Sequence, residues 1–397
     1  MANSRVQVFV HLAYGFGAAS WNHRWKQGKI LGINEPFPYG YYRAETMGCS
    51  VTYSQDQEES GLKKFCRLAT RAILGFDLIH AWRNFGEMWR ADVIWTHTES
   101  QYLSILLLLQ FARRGRHRPK LIAQSVWLFD RWPHFSSLRK RFFSWLIGKA
   151  DVLTVHSPEN LVIAKRMFPN VPSELVLFGI AADHKVAPRA HPSTTSLNIV
   201  SLGNDEHRDW ELLIKAVGAR PEWKLKIASQ KVTPSSIGPA TNIEIAKLQT
   251  NDELFALYQW ADVVVLAVKP NLHASGITVI QEAALQGVPV ICSETGGLRA
   301  YFGADEIRFV PPLDPAALLN AIDDLADDPG LRLDLARNAQ ARMGPRDLSS
   351  EAFARRHVEI SRCLLAPDHL AEISPTADDN EGRHAVAMPD AHAENRA

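Results

Sequence analysis

His273 to Gly297 reads HASGITVIQEAALQGVPVICSETGG, and with the apolar run Val263 to Val268 (VVVLAV) ahead of it, this segment decides the fold. The VVVLAV run is continuous and rich in β-branched residues, as suits a strand buried on both faces of a parallel sheet. A loop bearing the turn-forming Gly276 follows. Ile277 to Leu285 favours a helix with an apolar stripe, and Gly287 stops it. A second apolar strand, Val288 to Cys292, then runs into Ser-Glu-Thr-Gly-Gly. The order strand, glycine loop, helix, strand, glycine loop puts a helix N-terminus and two glycine loops at the carboxyl ends of parallel strands. Doubly wound sheets bind phosphorylated ligands there.

The same alternation extends in both directions. Val6 to Val10, Ser50 to Tyr53, Ala91 to His97, Lys120 to Ser125, Ala150 to His156 and Val176 to Phe178 read as strands of a first half. Asn198 to Leu202, Trp223 to Ala228, Ile243 to Lys247 and Ile307 to Val310 join the two central strands in a second half. Helices are expected over Tyr102 to Arg113, after the Ser157-Pro158-Glu159 start, over Glu211 to Ala219, and over Asp252 to Trp260 with Asn251 or Asp252 as cap. Pro315 to Leu325, Leu331 to Met343 and Ser349 to Leu365 complete them. Strands alternating with helices predict an α/β fold with parallel sheets covered on both faces. The polar run His191 to Ser196 reads as a linker, so the expected domains are 1–190 and 191–347, a last helix at 348–366, and a disordered tail at 367–397.

The chain has 397 residues, 46% hydrophobic, enough for more than one core. Forty-four basic against 43 acidic residues give a formal charge of +1, and no basic run is interleaved with aromatics. Neither feature calls for a nucleic-acid partner. Cys49, Cys66, Cys292 and Cys363 are scattered with no CxxC pair, which predicts a reduced, cytoplasmic protein without structural zinc. The start MANSRVQVFV lacks signal-peptide features, and the apolar stretch at Leu103 to Leu109 is too short to span a bilayer. A soluble or peripheral protein is expected.

Gly276-Ile277-Thr278, Glu282-Ala283-Ala284, Gly287 to Ile291 and Gly296-Gly297 together resemble the donor-binding segment of GT-B glycosyltransferases, specifically the retaining family 4 type. The resemblance implies two Rossmann-like domains facing a central cleft, with the last helix crossing back onto the first domain. It implies that backbone amides at the helix start hold a nucleotide-sugar diphosphate, as free N–H groups and the helix dipole favour, and that Glu282 binds the ribose. A second match lies after the Asn198 to Leu202 strand. Gly203 and a short loop lead to Arg208, where the family places a basic residue that pairs with the diphosphate. A guanidinium suits phosphate oxygens, and Lys269 is a candidate second charge. Many members carry a glutamate eight positions before the ribose ligand, but Ala274 stands there. The sugar contact then falls to His273, Ser275 or main chain.

In the first half, His11 to Gly17 carries Gly15 and Gly17 in a loop that the resemblance turns toward the cleft. The family's histidine after the Leu121 to Ser125 strand is replaced by Val126-Trp127, leaving Asp130, His156 and His97 as candidates near the transferred sugar. Trp21, Trp25, Phe37, Tyr39, Tyr41 and Tyr42 are either an acceptor surface or core. Ser136 to Ala150 sets Leu138, Phe142, Trp145 and Leu146 beside Arg139, Lys140, Arg141 and Lys149. That composition fits an interfacial helix on anionic lipid or an ordinary helix over the sheet.

The resemblance therefore implies a glycosyltransferase that takes a UDP- or GDP-linked sugar and passes it with retention to a saccharide or lipid-linked saccharide, in surface polysaccharide synthesis at the cytoplasmic face. No cofactor is expected. No metal is expected either, because no DxD-type carboxylate pair appears where the diphosphate lies. An epimerase of the same fold and a catalytically silent nucleotide-sugar-binding scaffold are the rivals.

Overall fold

The computed structural model describes residues 5–111, 118–189, 196–344 and 347–366. The expected tail, most of the expected linker and residues 112–117 lie outside them. Two parallel sheets of six strands organise the rest. The first contains β1 (Val6–His11), β2 (Cys49–Tyr53), β3 (Val93–Thr96), β4 (Lys120–Ser125), β5 (Val152–Val155) and β6 (Ser173–Leu175), in the order β2-β1-β3-β4-β5-β6. The second contains β7 (Asn198–Leu202), β8 (Lys224–Ala228), β9 (Ile243–Ile245), β10 (Val263–Leu266), β11 (Val290–Ser293) and β12 (Arg308–Val310), in the order β12-β11-β10-β7-β8-β9. The chain reverses direction of winding beside β1 and again beside β7, so each sheet has a crevice at its carboxyl edge. Strands β3, β5, β10 and β11 are buried along their whole length, as the continuous apolar runs require.

The last helix, Ser350–Leu365, starts from the second half but packs on the first sheet. Phe353, Val358, Ile360 and Leu364 share a core with Val8, Val10 and Trp95, and the Trp95 indole donates to Ser361 Oγ at 2.9 Å. Two expectations need correction. Val176 to Phe178 is no strand: β6 ends at Leu175, and the following residues turn toward the second domain, where the Phe178 N–H donates to the Tyr301 hydroxyl at 3.2 Å. The helix Asn251–Trp260 is capped by Thr250, in a capping box with Glu253. Asn251 is free for another task, described below. No helix among the described residues is long and apolar enough to cross a membrane.

Candidate active site

The crevice beside β7 is built around one arginine. After Gly203 the chain runs alongside the end of β10, held by the Asp209 N–H on Ala267 O at 2.9 Å and the Lys269 N–H on His207 O at 2.7 Å. This pairing turns Arg208 inward, where it is only 5% exposed. Its Nε and Nη1 have no hydrogen-bond partner. A Cβ on Gly203 or on Gly276 would lie 2.7 Å from the guanidinium, and both glycines have positive φ, +127° and +100°. Any side chain there would therefore be strained and would collide with Arg208. Gly203 thus makes room for the arginine and does not itself line the cleft. Burial pulls the Arg208 pKa below its usual value, as expected for a cation without a counter-ion in contact.

Gly276 is also the N-cap of the helix Ile277–Leu285, and no side chain caps this end. The Ile277 N–H turns back to Ala274 O at 3.1 Å, so the amide set expected over Gly276 to Thr278 is one short. Thr278 and Val279 extend the cavity lining. The loop ahead of the helix is held by a residue that sequence reasoning missed. Asn271 Oδ1 accepts from the N–H groups of His273 and Ser275, each at 3.2 Å, and the Asn271 N–H donates to Thr295 Oγ1 at 3.0 Å. The Ser275 hydroxyl is buried without a partner.

His273 links the two domains. Its Nδ1 lies 3.0 Å from Asp130 Oδ2 and its Nε2 3.1 Å from Asp205 Oδ2, while Asp130 Oδ1 accepts from the Leu272 N–H at 2.8 Å. Burial opposes the charged imidazole, but the bonds to Asp130 and Asp205 outweigh it and raise the pKa to about 9. Asp205 is also partly buried, yet the bond from His273 holds it below the usual carboxylate range. His273 is thus an imidazolium clasped by a carboxylate from each domain. Asp130 anchors the clasp and does not line the cavity, which corrects its placement beside the transferred sugar. Asp205, His207 and His273 have ligand atoms within 4.8 Å of one another, a possible cation set, although His273 already uses both ring nitrogens on carboxylates.

The first domain supplies Tyr39, His97, Val126, Trp127, His156 and Phe178 to a cavity of about 310 Å³ facing Arg208 and the Gly276 loop. His156 donates from Nδ1 to Val176 O at 2.8 Å, and its Nε2 is buried and unpartnered. Burial lowers its pKa to about 4, so the ring is neutral, with Nε2 as an acceptor. His97 is likewise pushed well down by burial, and Tyr39 stacks on it with centroids 3.5 Å apart. Tyr39 sits at φ +60°, strained backbone for a bulky residue. Of the aromatic segment, Tyr39 reaches the cavity, whereas Tyr41 is core.

Four expected donor ligands stand elsewhere. Glu282 is buried with both oxygens engaged: Oε1 accepts from the Ile33 N–H at 3.0 Å and Oε2 from the Tyr258 hydroxyl at 2.9 Å. Asn251 fixes the same first-domain loop, accepting from the Gly32 N–H at 3.0 Å and donating to Ile30 O at 3.3 Å. Burial raises the Glu282 pKa. Gly15 and Gly17 do not line the cavity, because their N–H groups donate to the two oxygens of Asp56, at 2.9 and 3.0 Å. Lys269 is exposed at the surface, outside the cavity.

Two wound parallel sheets with the site between their carboxyl edges define the GT-B architecture. Solved structures agree. Sucrose-phosphate synthase from Thermosynechococcus elongatus superposes with a TM-score of 0.67 at 17% identity over 90% of this chain and 98% of that one. Anabaena HepE in complex with UDP and glucose gives 0.61 at 13% identity over 89% and 98%. Residues 191–342 match the family described as Glycosyl transferases group 1. Among curated relatives, D-inositol 3-phosphate glycosyltransferase of Salinispora tropica is 34% identical over 108 residues, 27% of this chain and 22% of that protein. Its namesake in Corynebacterium glutamicum is 24% identical over 225 residues, 49% and 53% of the two chains. The matches thus span about a fifth to a half of those relatives' length.

Proposed function

We propose that this protein is a retaining, metal-independent glycosyltransferase of the hexosyl class that moves a sugar from a UDP- or GDP-linked donor to a saccharide or lipid-linked saccharide. The observation that carries the reading is Arg208, a buried guanidinium with two unpartnered nitrogens beside an uncapped helix N-terminus at the cleft. Such a pair of positive groups calls for an anion. A diphosphate satisfies both, and as the bond from the sugar's anomeric carbon to the diphosphate oxygen breaks, they stabilise the charge that develops on that oxygen. A UDP sugar is supported by the UDP-bound HepE structures. The sugar then lies against His156 Nε2, Ser275 Oγ and the Tyr39 ring, and Glu282 reaches the ribose once residues 30–33 lift from it. A lipid-linked acceptor places the protein at the cytoplasmic membrane face, in surface polysaccharide synthesis.

A silent nucleotide-sugar-binding scaffold is the second reading, favoured by Ala274 and by the engagement of Glu282 with Ile33 and Tyr258. Calorimetry with UDP, GDP, ADP and TDP sugars without metal tests the site. One nucleotide binds, and Arg208→Ala weakens it at least about tenfold, roughly 1.4 kcal/mol. Failure of every nucleotide to bind overturns both readings. Binding without transfer or hydrolysis on any acceptor favours the scaffold.

A further inference from the structure

The helix Gly61–Leu74 is amphipathic with its faces inverted. Leu62, Phe65, Cys66, Ala69 and Ile73 recur at helical spacing along one stripe, yet that stripe points to solvent. Leu62 is 74%, Phe65 68% and Ile73 76% exposed. The face turned to the protein is led by Arg67, the helix's one buried residue. Its Nε lies 2.9 Å from Glu59 and its Nη1 2.7 Å from Asp77, and the guanidinium sits 4.0 Å over the Tyr14 ring. The helix is therefore fastened through a buried ion network and offers its apolar side outward.

The expected interfacial helix, Ser137–Ile147, does the reverse. Phe143, Leu146 and Ile147 are buried in the core, so Leu146 does not belong to an outer face, although Leu138 (80% exposed) and Trp145 remain outside. The two helices meet. The Arg139 guanidinium donates to Ile73 O at 3.4 Å, and Gly75 abuts Phe143. The same helix carries the exposed Lys63, Lys64 and Arg71, with Arg139, Lys140 and Arg141 on the neighbouring helix and Lys149 just beyond its end. No acidic residue occurs in either 60–75 or 132–150.

We infer that the Gly61–Leu74 helix is a membrane-docking element, whose Leu62, Phe65 and Ile73 enter the interface of an anionic bilayer while the lysines and arginines of both helices hold its headgroups. An outward apolar stripe on a helix whose charges are all positive has the chemistry of an interfacial helix. This deepens the reading of a lipid-linked acceptor, and it ties the surface to the cleft, since the chain runs from cleft-lining Trp127 through Leu128–Arg131 to the Ser137–Ile147 helix.

Vesicle flotation of the full chain tests it, with phosphatidylcholine alone and with an equal mixture of phosphatidylcholine and phosphatidylglycerol. The wild type floats with the anionic vesicles at least about tenfold more than with neutral ones, and salt releases it. Phe65→Glu/Ile73→Glu and Lys63→Gln/Lys64→Gln/Arg71→Gln each lose most of that binding while keeping the wild-type melting temperature and donor affinity. No binding by the wild type, or equal binding by both folded variants, overturns the inference. So does a concentration-dependent dimer that the same substitutions abolish without any vesicle binding. If the glutamate variant fails to fold, the charge variant and the salt titration still decide. Donor calorimetry on the wild type is a separate readout, so failure of the transferase reading and failure of membrane docking are distinguishable.

Discussion

Gly15 and Gly17 follow β1, and Gly203 and Gly276 follow β7 and β10, so both domains carry glycine loops at the carboxyl edge of a parallel sheet. In the first domain the loop's amides are filled from within: the Asp56 carboxylate accepts from Gly15, Gly17 and the Ser20 hydroxyl. In the second, the glycines enclose a cation, Arg208, and the helix start beside it has no side-chain cap. The same backbone chemistry is spent on structure in one place and left for a ligand in the other. A glycine loop after a strand thus identifies an anion site only when the chain does not bring its own anion.

The largest effect expected from this contrast concerns the His273 clasp, which holds the open loop against the first domain. The pKa of His273 is raised from 6.5 to about 9 by its two carboxylates, on the order of 3 kcal/mol of favourable interaction. Because the folded value lies above the unfolded one, this contribution is complete below pH 6.5 and lost as pH rises through about 9. Denaturant unfolding of wild type and His273→Gln from pH 6 to 10 should show the stability gap closing over that window. A gap independent of pH would mean that the imidazole is held neutral and that the loop is anchored by packing alone.

The sequence makes the unit around Gly276 legible because strand period, helix period and glycine position are all local. The helix Ile277–Leu285 has the bounds expected of it, and Arg208 stands out because it falls where the family resemblance places a basic residue after the Gly203 loop. What escapes is the tertiary pairing of groups far apart in the chain. Asp130 and His273 are each visible as candidates, but nothing local says that they bond to each other across 143 positions. Nor does Glu282 announce that Ile33, 249 positions earlier, will cover it. The Gly61–Leu74 helix shows a further limit. Periodicity gives an apolar face but not its direction, and here the ion pairs of Arg67 with Glu59 and Asp77 decide which side turns inward.

A smaller effect sharpens the contrast from the side of the open loop. Arg208→Met removes an unpaired buried charge and keeps much of the side-chain volume, so the ligand-free protein should be more stable by about 1–2 kcal/mol. Donor affinity should fall in the same variant. Thermal denaturation with and without nucleotide checks both signs. Destabilisation of the ligand-free protein by this change would show that Arg208 is a structural cation satisfied by its surroundings, and the two loops would then differ only in the sign of the group that fills them.

The smallest effect belongs to the filled loop. Asp56→Ala leaves the Gly15 and Gly17 N–H groups without their acceptor, but the site is only half-buried and water replaces part of the loss. A cost of about 1 kcal/mol follows, read as a modest drop in melting temperature, with donor affinity unchanged because neither glycine lines the cleft cavity. If donor affinity instead falls together with stability, the Gly15 to Gly17 loop reaches the ligand after all. The internal carboxylate would then be a placeholder that shapes the amides for a phosphate, and the division of labour between the two loops would give way to a shared site.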